Sequence, residues 1–157
     1  MTRYPMTPEG YARLQEELVR IRHEEIPRNI KDIEEAREHG DLRENAEYHA
    51  AKERQSHLAA REAYLQDRIA RAEIIDPRTL KSDRVVFGAT VTLENDDTGE
   101  TASYKIVGED EADLRRGMIN LASPMARAMI GKQVDDEVRL KTSQVQKSFT
   151  ILKIEFV

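Results

Sequence analysis

Apolar positions along the chain change their period once, near residue 76. Before it they follow helices. Tyr11, Leu14, Leu18 and Ile21 recur at steps of three and four, behind Thr7 and Pro8, a hydroxyl cap followed by a residue that needs no amide hydrogen. The pattern slips beside Pro27, resumes through Ile26, Ile30 and Ile33, and runs to about His39, which predicts a kink or a change of register at the proline. From Tyr48 the steps through Ala51, Gln55, Leu58, Glu62, Leu65, Ile69 and Ala72 alternate three and four without a break. This is a coiled-coil seam with two polar interruptions. An antiparallel hairpin pairs residues whose numbers add to a near-constant value. That rule sets Ile21 against Leu65, Leu14 against Ala72 and Arg37 against Tyr48, with Glu17 facing Arg68 and Glu24 facing Arg61. The heptad-spaced Arg54, Arg61 and Arg68 then read as a solvated, pairing flank rather than an RNA track. Some thirty residues per helix at roughly 1.5 Å each give a rod of about 45 Å.

Ile74-Ile75-Asp76-Pro77 ends the hairpin, and residues 77–84 read as a linker. Beyond it the period is two. Val85 to Leu93 and Thr101 to Val107 predict strands joined across Asn95-Asp96-Asp97-Thr98-Gly99, and Met118 to Leu121 a third strand. Pro124 to Ile130 predicts a brief helix closed by Gly131, and Val134 to Lys141 with Ser148 to Phe156 a final strand pair. The expectation is an α+β protein: a coiled-coil hairpin over residues 1–76 and a small antiparallel sheet with one helix over residues 85–157.

With 39% hydrophobic and 35% charged residues in 157, the chain is poor in core, which suits an elongated part. Absence of cysteine removes disulfides, thiolate metal sites and thiol catalysis. The N-terminus carries no signal pattern and no long apolar run, so a soluble, cytoplasmic protein without a membrane span is expected, and a monomer is expected beside it. A net charge of −5 argues against unaided binding to duplex DNA.

The hairpin turn, His39-Gly40-Asp41-Leu42-Arg43-Glu44-Asn45-Ala46-Glu47-Tyr48, concentrates the candidate chemistry. Gly40 can take the positive φ that ends a helix, and Asp41 with Glu44 has capping-box spacing for the next. Capping leaves the charge unexplained. Glu34 to Glu47 holds six acidic and two basic side chains, a balance of −4 crowded at the end of a rod. Concentrated carboxylates suit a hard cation, because Mg²⁺ prefers oxygen and often takes only one or two ligands from a protein. Capping and metal delivery are compatible readings. His23, His39, His49 and His57 lack a zinc-protease spacing and read as surface histidines; no phosphate loop, dinucleotide fingerprint or nucleophile elbow is present. Asp41 and Glu44 at an exposed tip lack the burial that tunes acid–base pKa values, so the chain alone is not expected to be an enzyme.

The string from Glu35 to Ala51 resembles the signature of the bacterial transcript-cleavage factors GreA and GreB. Similarity continues in order through Phe87-Gly88-Ala89, Tyr104 to Asp113, Ser123-Pro124-Met125-Ala126-Arg127 and Ile130-Gly131-Lys132, so it spans essentially the whole chain. The resemblance implies a coiled coil that enters the secondary channel of a backtracked RNA polymerase and an FKBP-like C-terminal domain that grips the channel rim. It also implies that Asp41 and Glu44 help hold a second Mg²⁺ and the attacking water, so that the polymerase hydrolyses its own RNA. Lys52 resembles a position that contacts the RNA 3′ segment, with Arg37, Arg43 and Asn45 as tip support. Ser123-Pro124 resembles a rim-contacting loop, although a capped helix start explains it equally well. The acidic balance is closer to GreA than to GreB. One departure is the connection Thr142-Ser143-Gln144-Val145-Gln146-Lys147, which lacks the glycine often found there. Two rivals stand beside this reading: an inhibitor that occupies the channel without promoting cleavage, and a scaffold hairpin whose carboxylates only cap.

Overall fold

The computed structural model describes residues 2–157; Met1, the first residue of the expected 1–76 hairpin segment, lies outside them. The chain divides into two compact units, Tyr11–Ala72 on one hand and the residues up to Gly10 together with Glu73–Val157 on the other. The first ten residues thus group with the sheet, not with the hairpin.

Helix α1 (Pro8–Arg20) passes through a π-helical turn, Ile21–Glu25, into α2 (Ile26–Arg37), and α3 (Ala46–Ala70) returns antiparallel. The expected slip at Pro27 is this π turn, in which the Ile26 N–H bonds the Ile21 carbonyl five residues back. It adds one residue to the helix. Buried positions Leu14, Ile21, Asn29, Ile33 and Ala36 are spaced seven, eight, four and three apart, and the eight falls across the π turn. One extra residue rotates everything after it by about 100°. Ile30, expected in the seam, is therefore 48% exposed, and Asn29 replaces it at 2%. Asn29 Nδ2 donates to the Ala51 carbonyl at 2.9 Å, which makes its burial tolerable.

The charged flank pairs, though not by the expected partners. Arg61 forks onto Glu17 at 3.1 and 2.8 Å, where Arg68 was expected, and Arg54 reaches Glu25 at 3.4 Å. Arg22 bonds Glu62 at 3.0 Å. The partner of Glu17 lies seven residues, about two turns, from the one expected, so levels read from numbering alone miss the actual partner. Arg61 and Arg68 both lie over the Tyr64 ring, at 5.1 and 5.0 Å.

In the second unit, β1 (Tyr4–Met6) and β2 (Ala72–Ile74), neither expected, form a two-stranded sheet. The main sheet has the order β5-β4-β3-β7-β6, with β3 (Thr90–Asn95), β4 (Thr101–Val107), β5 (Met118–Asn120), β6 (Glu137–Lys141) and β7 (Gln146–Glu155). It is mixed rather than wholly antiparallel, because β5 runs parallel to β4. Two 3₁₀ turns, at Glu109–Glu111 and Leu114–Arg116, return the chain to the start of β4 before β5 begins. The turn at Val86–Ala89, where Gly88 has φ +88°, delays β3 to Thr90, and a turn at residues 133–136 delays β6 to Glu137. Helix α4 (Pro124–Met129) buries Ala126 and Met129 among Val85, Val91, Leu93, Ile106, Val138 and Ile151, each at most 1% exposed. The 142–147 connection needs no glycine: Thr142 Oγ1 accepts from the Val145 N–H at 3.0 Å, and the Val145 carbonyl accepts from the Thr142 N–H at 2.8 Å.

A buried carboxylate ties the N-terminal segment into this unit. Glu111 is 4% exposed, and its Oε2 accepts from the N–H groups of Thr7 at 3.0 Å and Gly108 at 3.2 Å. Its Oε1 accepts from the Thr7 hydroxyl. The same hydroxyl oxygen accepts from the Gly10 N–H at 3.1 Å, so the expected helix start at Thr7 is present. A Cβ on Gly10 would lie 2.2 Å from the Glu111 carboxyl carbon; only glycine leaves room for the carboxylate.

Candidate functional site at the hairpin tip

Residues 38–45 join α2 to α3. Gly40 takes φ +107°, as its place after a helix requires. The cap of α3 is Asn45, not Asp41. Asn45 Oδ1 accepts from the Tyr48 N–H at 3.0 Å, while its Nδ2 donates to the Ala36 carbonyl at 2.6 Å. One carboxamide closes the end of one helix and the start of the next. A carboxylate cannot do both, since it has no N–H for the terminal carbonyl. Asp41 instead accepts the Arg43 N–H at 2.9 Å and closes a local turn. Glu44 has no hydrogen bond or ion pair among the described residues. The capping box expected of Asp41 and Glu44 is therefore not formed, and the charge on both is left for another use.

Asp41 and Glu44 line one hollow of about 450 Å³ with His39, Asn45, Ala46 and Glu47. His39 Nε2 lies 4.0 Å from Glu47 Oε2. Among the described residues no three His, Cys, Asp or Glu side chains converge as a metal site. Two oxygen donors at an exposed tip fit a cation only as part of a shell completed elsewhere. That is compatible with the donor chemistry of Mg²⁺.

The other residues singled out from the sequence are spread around this hollow. The Arg37 guanidinium lies 6.0 Å from the Tyr48 ring centre, across the hairpin as expected. Lys52 Nζ donates to Gln55 Oε1 at 2.9 Å, on the exposed side of α3. Arg43 is exposed, held through its backbone: Asp41 takes its N–H, and His49 Nε2 meets its carbonyl at 3.0 Å. That contact of His49 was missed, because a lone histidine one turn into a helix carries no spacing signal. Far along the chain, Ser123 Oγ accepts from the Ala126 N–H at 3.2 Å and caps α4, with Pro124 exposed at its first position.

Comparison with known proteins bears on the whole chain. Residues 4–74 match the family model described as "Transcription elongation factor, N-terminal", and residues 80–156 match "Transcription elongation factor, GreA/GreB, C-term". The chain is 54% identical over 156 residues to transcription elongation factor GreA of Beijerinckia indica subsp. indica, covering 99% of both. It is 51% identical over 153 residues to GreA of Syntrophotalea carbinolica, covering 98% of this chain and 97% of that one. Among solved structures, GreA factor homolog 1 (Gfh1) of Thermus thermophilus is 29% identical with a TM-score of 0.45, covering 98% of this chain and 99% of that one. With both halves matched in order and half of all residues shared end to end with such relatives, the chain belongs to the GreA/GreB family of transcription elongation factors.

Proposed function

We propose that this chain acts on RNA polymerase by inserting the hairpin tip into its secondary channel, where Asp41 and Glu44 serve the polymerase's own hydrolysis of backtracked RNA. The observation that carries this reading is the electrostatic state of the tip. Glu44 is unpaired among the described residues, Asp41 spends one oxygen on a local turn, and helix capping has been handed to Asn45. Two exposed carboxylates, neither of them needed to cap a helix, are held where self-repulsion is a cost. Their use is to be offered outward.

Asp41 and Glu44 would hold a Mg²⁺ shared with the polymerase, since among the described residues no third carboxylate or histidine converges with them. When bound, such an ion activates water and stabilises the departing oxygen in two-metal hydrolysis. The chain's own part is to orient its two carboxylates and exclude bulk water by filling the channel. Arg37, Arg43 and Lys52 place positive charge beside the RNA 3′ end, and Ser123-Pro124 presents a rigid corner to the channel rim. The elongation-factor names of its half-identical relatives support the process, and the rod with a presented acidic end supports the route.

The test is RNA cleavage in stalled, backtracked complexes of the cognate polymerase at fixed Mg²⁺. Asn at position 41 can still accept the Arg43 N–H, so Asp41→Asn leaves the turn while removing a charged ligand. Stimulation should be abolished, since losing even an outer-shell partner of a metal ligand costs roughly 10–100-fold, with polymerase binding retained. A variant as active as wild type would refute metal delivery, and a wild-type protein that slows nucleotide addition without cleavage would establish the inhibitor reading.

A further inference from the structure

The two carboxylate residues of the tip are separated by Leu42 and Arg43, so their relative placement depends on the peptide groups between them. Both peptide groups of Arg43 are held. The Leu42–Arg43 peptide is held through its N–H by Asp41 at 2.9 Å. The Arg43–Glu44 peptide is held through its carbonyl by His49 Nε2 at 3.0 Å. Since a carbonyl only accepts, Nε2 carries the proton. The His49 ring is steadied in turn: it meets the Tyr48 ring edge-on at 5.7 Å and 65°, and Tyr48 lies under the Arg37 guanidinium. The remaining loop residues except Asn45 are exposed, and nothing else among the described residues bonds the Arg43 carbonyl. That peptide plane sets the direction in which Glu44 leaves the backbone.

We propose that His49 is a positioning residue, whose N–H fixes the Arg43–Glu44 peptide and thereby the spacing of the Glu44 carboxylate from Asp41. The inference rests on the function proposed above, in which those two carboxylates share one ion. His49 touches neither the ion nor RNA; it acts through the backbone it holds.

The test uses the full chain. His49→Ala removes the donor while placing the best helix former at an exposed position of α3, so the helix start is not weakened. His49→Gln returns an N–H at the reach of Nε2, whereas His49→Asn places one nearer the backbone, where it falls short. Two readouts are taken: heteronuclear NOEs of the Arg43 and Glu44 amides in the free protein, and the Mg²⁺ concentration giving half-maximal cleavage in backtracked complexes. His49→Ala and His49→Asn should lower the NOEs and raise the Mg²⁺ requirement roughly tenfold, as loss of a residue orienting a metal ligand does. Polymerase binding by competition should be unchanged, and His49→Gln should restore both readouts.

Unchanged NOEs in His49→Ala would overturn the clasp. Lowered NOEs with a wild-type Mg²⁺ requirement would overturn the positioning role, as would His49→Gln behaving like His49→Ala. If wild-type protein fails to stimulate cleavage, the function reading falls and takes the positioning role with it, while the NOEs still decide whether the clasp exists.

Discussion

Glu111 offers the sharpest test of the packing. Its carboxylate satisfies three donors in a place 4% open to solvent: the Thr7 and Gly108 N–H groups and the Thr7 hydroxyl. Glu111→Ala orphans all three. Each buried donor left without a partner costs about 1–3 kcal/mol, and water entering the vacated space moves the sum toward its lower end, about 3 kcal/mol. Glu111→Gln is a different perturbation. Its amide oxygen can take the Oε2 position and keep both N–H bonds, while its NH₂ turns to the Thr7 hydroxyl, whose oxygen accepts two hydrogen bonds. The loss is then the difference between charged and neutral acceptors, about 1 kcal/mol, and the Thr7 O–H left without its acceptor, about 1 kcal/mol more. Calorimetric melting separates these, since each kcal/mol moves the midpoint of a unit this size by about 4–8 °C. If Glu111→Gln melts as low as Glu111→Ala, hydrogen-bond satisfaction is not what the residue supplies. If Glu111→Ala costs under about 1 kcal/mol, the N-terminal segment is not held by it at all.

The remaining predictions concern the tip and the sheet. Asn45→Ala should lose both the α3 cap, about 1 kcal/mol, and the bond to Ala36, a further ~1 kcal/mol, whereas Asn45→Ser should lose only the second. Urea unfolding followed by helical circular dichroism reads the difference, and equal losses would contradict the double clasp. On the sheet, the Thr150 and Ser148 hydroxyls hold the Asp96 carboxyl below its ordinary 3.8. A depressed folded pKa means the stabilisation is complete above the unfolded value and disappears as pH falls through the folded one. In Thr150→Val, whose lost hydroxyl is the larger cause, the Asp96 carboxyl carbon should titrate closer to 3.8, and the loss of stability in acid should be smaller and complete at a higher pH than in wild type. An unchanged titration by NMR would contradict that assignment. At Gly10, alanine should destabilise the second unit in wild type but little in the Glu111→Ala background, where the clashing carboxylate is gone.

The sequence by itself determined whatever depends on local periodicity and local chemistry. A three-four repeat on each side of a glycine turn specifies an antiparallel hairpin, because only that face can be buried between two helices. Asn95 to Gly99 specifies the β3–β4 turn, where Asn95 Oδ1 accepts the Asp97 N–H and Gly99 supplies φ +75°. The acidic tip, with Asp41 and Glu44 outward, is likewise a matter of residue order. Tertiary structure decided what depends on competition between groups distant in sequence or on cumulative phase. Whether Asp41 or Asn45 caps α3 turns on which side chain can also satisfy Ala36, on the other helix. The exchange of Ile30 for Asn29 in the seam needs the extra residue of the π turn, which no single step of the pattern displays. Glu111, which stands among Glu109, Asp110 and Asp113, is buried only because Thr7 and Gly108, distant along the chain or in a turn, bring donors to it. Local patterns choose elements because each residue's backbone preferences are its own; partners are chosen only when unsatisfied donors and acceptors from separate elements are brought into the same dry space.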